Sequence, residues 1–261
     1  MLYLKVIDQK GNIIVSAKGE EEVSCFCQRE YVDGDQILLE KDTNDSFIWL
    51  QLDEALGRSI IYAKGNITYK IPFGKKRNNL SPKAFSGPQH LIYAKSAKNF
   101  EIAQYRNLSF NVNDHHQNTT YYPHVTANVE TRGEAEFAAQ NAIDGITINY
   151  SHGEWPFGSW GINRQEDAAL HMDFGRAVKI DRIILYLRAD FPHDNWWENV
   201  TFQFSDDSTL NAKLKKSNLG QEILFEPKTV KWLKLSHLVQ SPDPSPFPAL
   251  TQIEVYGMEA E

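Results

Sequence analysis

The chain has 261 residues, of which 41% are hydrophobic, 12% aromatic and 23% charged. Against ~150 residues for a typical domain, this length favours two compact domains, and the apolar content excludes a disordered polymer. With 27 Lys plus Arg against 34 Asp plus Glu, a net charge of −7, and no basic cluster beyond Lys75, Lys76 and Arg77, nucleic acid is not expected as a partner.

Apolar runs such as Ile183 to Leu187 fall far short of the ~20 residues that cross a bilayer, so no membrane partner is expected. Charge at Lys5 and Asp8 interrupts the start too early for a signal peptide, which points to a cytoplasmic location; a chain trimmed of its leader reads the same way. Cys25 and Cys27 stand two apart in a strand-like segment, where both side chains face one way, and read as buried thiols rather than a disulfide framework.

Period-two alternation predicts strands over residues 3–7, 13–16, 23–27, 36–40, 48–52, 59–63 and 67–71, with turn residues between them. Two more are expected at 89–94 and 101–105. The polar stretch 107–122 then places a domain boundary near residue 108. Ala138, Ala139 and Ala142 predict a short helix over 134–143, ended by Gly145. Further strands are predicted at 169–174, 181–188, 199–204, 209–214, 221–225, 230–235 and 251–256. The expectation is an all-β protein of two β-sandwich domains, residues 1–108 and 109–261.

Three loop segments carry chemistry. Arg188-Ala189-Asp190-Phe191-Pro192-His193-Asp194-Asn195-Trp196-Trp197 follows a strong strand, and strand exits are where loop chemistry collects on a rigid scaffold. Sugars present hydroxyl pairs beside C–H surface, so recognition favours charged or amide groups next to an aromatic face. Arg188, Asp190, His193 and Asp194 are the polar candidates, and Trp196 or Trp197 the platform; equally, one tryptophan can be core and Arg188 can pair with Asp190. The segment from Tyr150 to Trp160, with its glycines and large aromatics beside His152 and Glu154, also reads as a lid with no ligand. Four alternating prolines between Pro242 and Pro248 predict a rigid extended crossover or one wall of a pocket, with His237 or Asp243 contributing polar contacts.

Asp144 is the candidate for a structural calcium, which takes hard oxygen ligands from loops, although Asp144 can also cap its own turn with no ion. His115, His116 and His124 lack the ligand spacing of a zinc site. Asn-x-Ser/Thr patterns at Asn66, Asn107, Asn118, Asn149 and Asn199 carry no weight without an export signal. No Walker loop, dinucleotide fingerprint or serine-nucleophile elbow is present, which removes the enzyme classes most readily recognised in sequence.

Ala139-Gln140-Asn141-Ala142-Ile143-Asp144-Gly145, then Leu170-His171-Met172-Asp173-Phe174-Gly175 with Val178 to Ile183, then Ile253-Glu254-Val255-Tyr256-Gly257 occur in that order. Together they resemble the discoidin, or coagulation factor 5/8 type C, family of galactose-binding-like jelly rolls, which includes many carbohydrate-binding modules. That resemblance covers residues 110–258. It implies a C-terminal jelly roll that binds at loops on one end, with His152, Glu154 and Trp155 near the ligand and Trp160 in the core, often with a structural calcium near the Asp-Gly segment. The chain lacks the disulfide that ties the termini of many extracellular members.

The expected function is therefore non-catalytic binding of a carbohydrate or other small polar ligand through those loops. Two alternatives stand beside it. One is a glycoside-active hydrolase or lyase using Glu154, Asp190 or Asp194 with His193, since a flanking carboxylate pair is the minimum for hydrolysis; the other is a structural interaction scaffold. Oligomeric state and the role of the first domain are not legible.

Overall fold

The computed structural model describes residues 1–43, 45–189 and 195–260. Strands dominate. The first eight are β1 (Leu2–Ile7), β2 (Ile13–Gly19), β3 (Glu22–Cys27), β4 (Gln36–Lys41), β5 (Ser46–Gln51), β6 (Ser59–Ala63), β7 (Ile67–Lys70) and β8 (His90–Ser96). β1 shows why they form: Leu2, Leu4 and Val6 point inward at every second position while Tyr3, Lys5 and Ile7 stay partly open, so one face of the strand is apolar. In β3 the same alternation buries Val23, Cys25 and Cys27, and burial pushes the Cys25 thiol up to about 11.

These strands make two antiparallel sheets, ordered β2-β1-β4-β7 and β6-β5-β8-β3, the second extended at its β6 edge by a strand from later in the chain. Their inner faces share one core that includes Leu4, Leu39, Ile48, Leu50, Ile61 and Ile92. The strand expected over 101–105 is absent. Instead a one-turn helix, α1 (Asn99–Ile102), forms there, because the Glu101 carboxylate accepts the Lys98 N–H at 2.7 Å and closes a capping box.

The polar stretch after α1 is a hydrogen-bonded plug between the two sandwiches. β9 (Arg106–Asn107) joins the second sandwich, β10 (Tyr121–Tyr122) returns to pair with β6, and β11 (His124–Ala127) re-enters the second. Asn111, Asn113, Asp114 and Asn118 are buried, and each makes hydrogen bonds within the plug or to the strands beside it. Asn113 Nδ2 donates to the Leu50 carbonyl at 3.2 Å, Asn111 Nδ2 to that of Pro123 at 2.8 Å, and Asp114 Oδ2 accepts the Val125 N–H at 3.0 Å.

The second sandwich adds β12 (Trp160–Gly161), β13 (Leu170–Leu187), β14 (Trp197–Phe204), β15 (Thr209–Lys213), β16 (Gln221–Gln240) and β17 (Ala249–Glu259). Strand pairs expected at 169–174 with 181–188, and at 221–225 with 230–235, are continuous strands that bend between layers. Register shifts between Asp173 and Val178 mark the bend in β13. Gly175 sits there at φ +70°, where a side chain would run into the Tyr122 ring. The helix expected over 134–143 is instead a pair of 3₁₀ turns, Ala135–Phe137 and Ala139–Ile143. The second turn buries Ala139, Ala142 and Ile143 against the core. No helix among the described residues is long and apolar enough to cross a membrane.

Candidate functional site

Four loops meet at one end of the second sandwich. Asn195 ties two of them: its Nδ2 donates to the carbonyls of Asp243, at 3.2 Å, and Ser245, while its Oδ1 accepts the Ser241 hydroxyl at 2.7 Å. The proline-rich segment before β17 is therefore clamped against the segment before β14. Asn149 Nδ2 donates to the Leu187 carbonyl at 3.2 Å and to that of Asn218 at 2.6 Å, which draws in the loop after Asp144 and the loop before β16. Two buried amide side chains thus do here what ladder hydrogen bonds do inside the sheets: they order loops that contain too many prolines and turns to order themselves.

Arg188 leaves the end of β13 into this junction. Its backbone N–H donates to the Ala249 carbonyl at 3.0 Å, and the residue is only 4% exposed. Guanidinium groups are almost never buried without acceptors. Yet Nε and Nη1 of Arg188 find no hydrogen-bond partner among the described residues, and burial pulls its pKa down to about 10. His152 lies close enough for the Arg188 charge to act on it: burial lowers its pKa first, with the charges of Arg188 and Arg132 adding to the effect. At neutral pH His152 is an uncharged imidazole that offers one donor and one acceptor.

Trp196 is half-buried on the same rim, with Lys216 Nζ 5.7 Å from the centre of its ring and 3.8 Å from Asp243 Oδ2. Arg132, which the sequence did not single out, holds Glu134 by two hydrogen bonds of 2.8 and 2.5 Å. Neither Lys216 nor Arg132 carried a sequence signal, because each reaches the junction from a loop far away in the chain.

Trp197 cannot be a platform. It is 0% exposed, opens β14 and packs against Trp160 with ring centres 6.2 Å apart, since adjacent residues of an extended chain face opposite sides and this one faces the core. Glu154 and Trp155 also stand elsewhere than expected. They line a cleft between the two sandwiches, a wall that includes neither Arg188 nor His152. Asp190, His193 and Asp194 lie outside the described residues. His237 falls within β16 rather than in the loop that follows it.

Asp144 offers calcium one side-chain carboxylate, so any further oxygens of a shell fall to neighbouring backbone carbonyls. The residue is half-buried in the wall between the sandwiches, and burial raises its pKa to about 8. Oδ1 accepts the Ile146 N–H at 2.8 Å, and the nearby Gln252 side chain is a neutral amide whose Oε1 accepts the Gly145 N–H at 3.2 Å. Calcium takes about 6 to 8 oxygens and a compensating charge, and these side chains supply a single carboxylate surrounded by N–H donors. Among the described residues the one cluster of three metal-ligating side chains is Asp53, Glu54 and His90, within 4.8 Å of one another in the first sandwich. Its carboxylates already accept the backbone N–H groups of Ala55, Phe85 and Leu91, each at 2.9 Å.

No protein-family model matches this chain, and no curated protein does. Solved structures of similar fold exist, and several are carbohydrate-binding modules or lectin domains. Chitosan-binding module 1 from a chitosanase/glucanase of Paenibacillus sp. IK-5 is 21% identical, covering 58% of this chain and 98% of its own, with a TM-score of 0.42. A fucose-binding module of Streptococcus pneumoniae is 14% identical over 59% of this chain and 98% of its own, with a TM-score of 0.43. The family 32 carbohydrate-binding module of C. perfringens NanJ, in complex with galactose, is 18% identical over 51% of this chain and 91% of its own, with a TM-score of 0.37. Such distant likeness transfers no residue role to this chain.

Proposed function

We propose that the protein binds a saccharide, without catalysis, at the loop end of its second sandwich. The observation that carries this reading is Arg188: a buried guanidinium whose Nε and Nη1 lack acceptors among the described residues, on a backbone held by the Ala249 carbonyl. Nε–H and Nη1–H point from different edges of the guanidinium, so each takes a separate sugar hydroxyl, and each such charge-assisted bond contributes about 1.5–3 kcal/mol. His152 is a neutral imidazole on a neighbouring loop, and Trp196 supplies an apolar face on the rim.

The test uses immobilised neutral, amino and acidic glycans with the wild-type protein and with Arg188→Met. Methionine fills most of the same volume and removes every donor. Wild type is expected to bind a subset of the glycans and Arg188→Met to lose them, by about a hundredfold in Kd, while circular dichroism stays unchanged. Equal binding by the two proteins contradicts the reading.

A further inference from the structure

The cleft between the sandwiches has a volume of about 990 Å³, and both domains build it. Its walls include Tyr69, Phe73 and Lys75 from the first sandwich and Glu136, Asp144 and Trp155 from the second. That volume is within the range of small-molecule sites, which favour domain interfaces.

Side chains across the junction fix its shape. Asn79 Nδ2 donates to Asn141 Oδ1 at 2.9 Å and Asn78 Nδ2 to Glu136 Oε1 at 2.8 Å. The Trp155 N–H donates to the Asn78 carbonyl at 2.9 Å, which pins the backbone of the second sandwich's loop to the first. Trp155 nevertheless keeps 40% of its surface exposed. An indole of that exposure, on an anchored backbone, is a stacking face rather than a core residue.

His115, also on the cleft wall, adds a polar observation. Its Nδ1 accepts the Gln117 N–H at 3.2 Å, so in the neutral ring Nε2 carries the hydrogen. Nε2 is buried and has no partner among the described residues. A donor without an acceptor, an open indole face and a wall of carboxylates and amides together suit a polyhydroxylated ligand.

The two places are joined by one loop. Asn149 Nδ2 donates to the carbonyl of Leu187, the residue before Arg188, and Trp155 follows six residues later in the cleft, at most ~22 Å further along even a fully extended chain. We propose that the cleft is an extension of the saccharide site: one glycan chain runs from Arg188 and His152 along this loop and lays a further ring on Trp155. This rests on the saccharide reading of Arg188 and gives the first sandwich a part in recognition, as the second wall of the cleft.

The probes are length series, one to six rings, of β-linked galactose, glucose and N-acetylglucosamine, titrated calorimetrically into wild type, Trp155→Ala, Trp155→Phe and Arg188→Met. For any series that binds, wild-type affinity is expected to rise with chain length. Trp155→Ala is expected to leave the shortest binding sugar unchanged and to lose about fivefold to tenfold on the longest, with Trp155→Phe restoring most of it. Arg188→Met is expected to lose every length. If affinity does not rise with length, or Trp155→Ala weakens the shortest sugar as much as the longest, the extension is wrong while the Arg188 reading stands. If no series binds wild type, the saccharide reading and the extension both fail.

Discussion

Each sandwich buries a charged side chain, and the two are treated in opposite ways. In the first, Asp53 is 0% exposed and its oxygens accept the backbone N–H groups of Ala55 and Phe85 at 2.9 Å and face His90 Nδ1 at 3.3 Å. Its bonds tie a turn to the start of β8, and the protein consumes them all for that purpose. In the second, Arg188 is nearly as deep, yet two of its guanidinium nitrogens meet nothing among the described residues. Burial alone therefore does not separate scaffold from site; the destination of the hydrogen bonds does.

Substitutions at the two positions should break in different directions. Asp53→Ala leaves the Ala55 and Phe85 N–H groups and His90 buried without their acceptor, and is expected to lower unfolding free energy by about 3 kcal/mol or more, measured by urea titration. Arg188→Met removes a buried charge two of whose nitrogens meet no acceptor among the described residues, so stability is expected to hold or rise while saccharide affinity falls by about a hundredfold. Loss of stability at Arg188 comparable to that at Asp53 would make both residues scaffold and erase the comparison.

Asp144 sharpens it with pH. Its carboxyl is raised from 3.8 to about 8 by burial, so between those values the folded state holds a proton that the unfolded chain has released, and stability falls as pH rises. His115, lowered by burial from 6.5 to about 4, has the opposite sign, but only below pH 6.5. Raised His116 shares the sign of Asp144 and is unchanged in the variant. Asp144→Asn is therefore expected to gain stability relative to wild type from pH 6.5 to 8, by up to about 1.4 kcal/mol per pH unit. Parallel pH profiles for the two proteins would show that Asp144 is ionised throughout.

Smaller effects follow at the rim. Trp196→Ala is expected to weaken saccharide binding about fivefold in calorimetry with little change in Tm. Calcium at millimolar concentration is expected to leave Tm unchanged, because Asp144 and Gln252 offer it a single carboxylate; a rise of several degrees that chelation reverses would restore the calcium expectation.

The strands of the first sandwich were legible because each carries its alternation alone, as Leu2, Leu4 and Val6 do in β1. The long strands β13 and β16 were read as pairs because the residues at their bends break the alternation without ending the strand: Gly175 in one, Glu226 and Pro227 in the other. The polar stretch after α1 looked like a linker because a sequence shows side-chain polarity but not its satisfaction, and here the asparagines bond inward. At the site, the sequence marked Arg188, His152 and Trp196, which sit together around the same loops. It could not say which tryptophan of the 196–197 pair turns inward, since both are apolar and the register is set by the sheet. The cleft was invisible for a further reason: Trp155 and Tyr69 share a wall only after both sandwiches have formed and docked.

The central claim is that the Arg188 guanidinium is a ligand contact, and its own N–H reports on this most directly. In ¹⁵N–¹H spectra of the labelled protein, assigned with Arg188→Met, the Arg188 Nε–H signal is expected to shift and to exchange more slowly with water when a saccharide that binds wild type is added. A signal that stays in place and exchanges at the same rate at saturation would contradict the account.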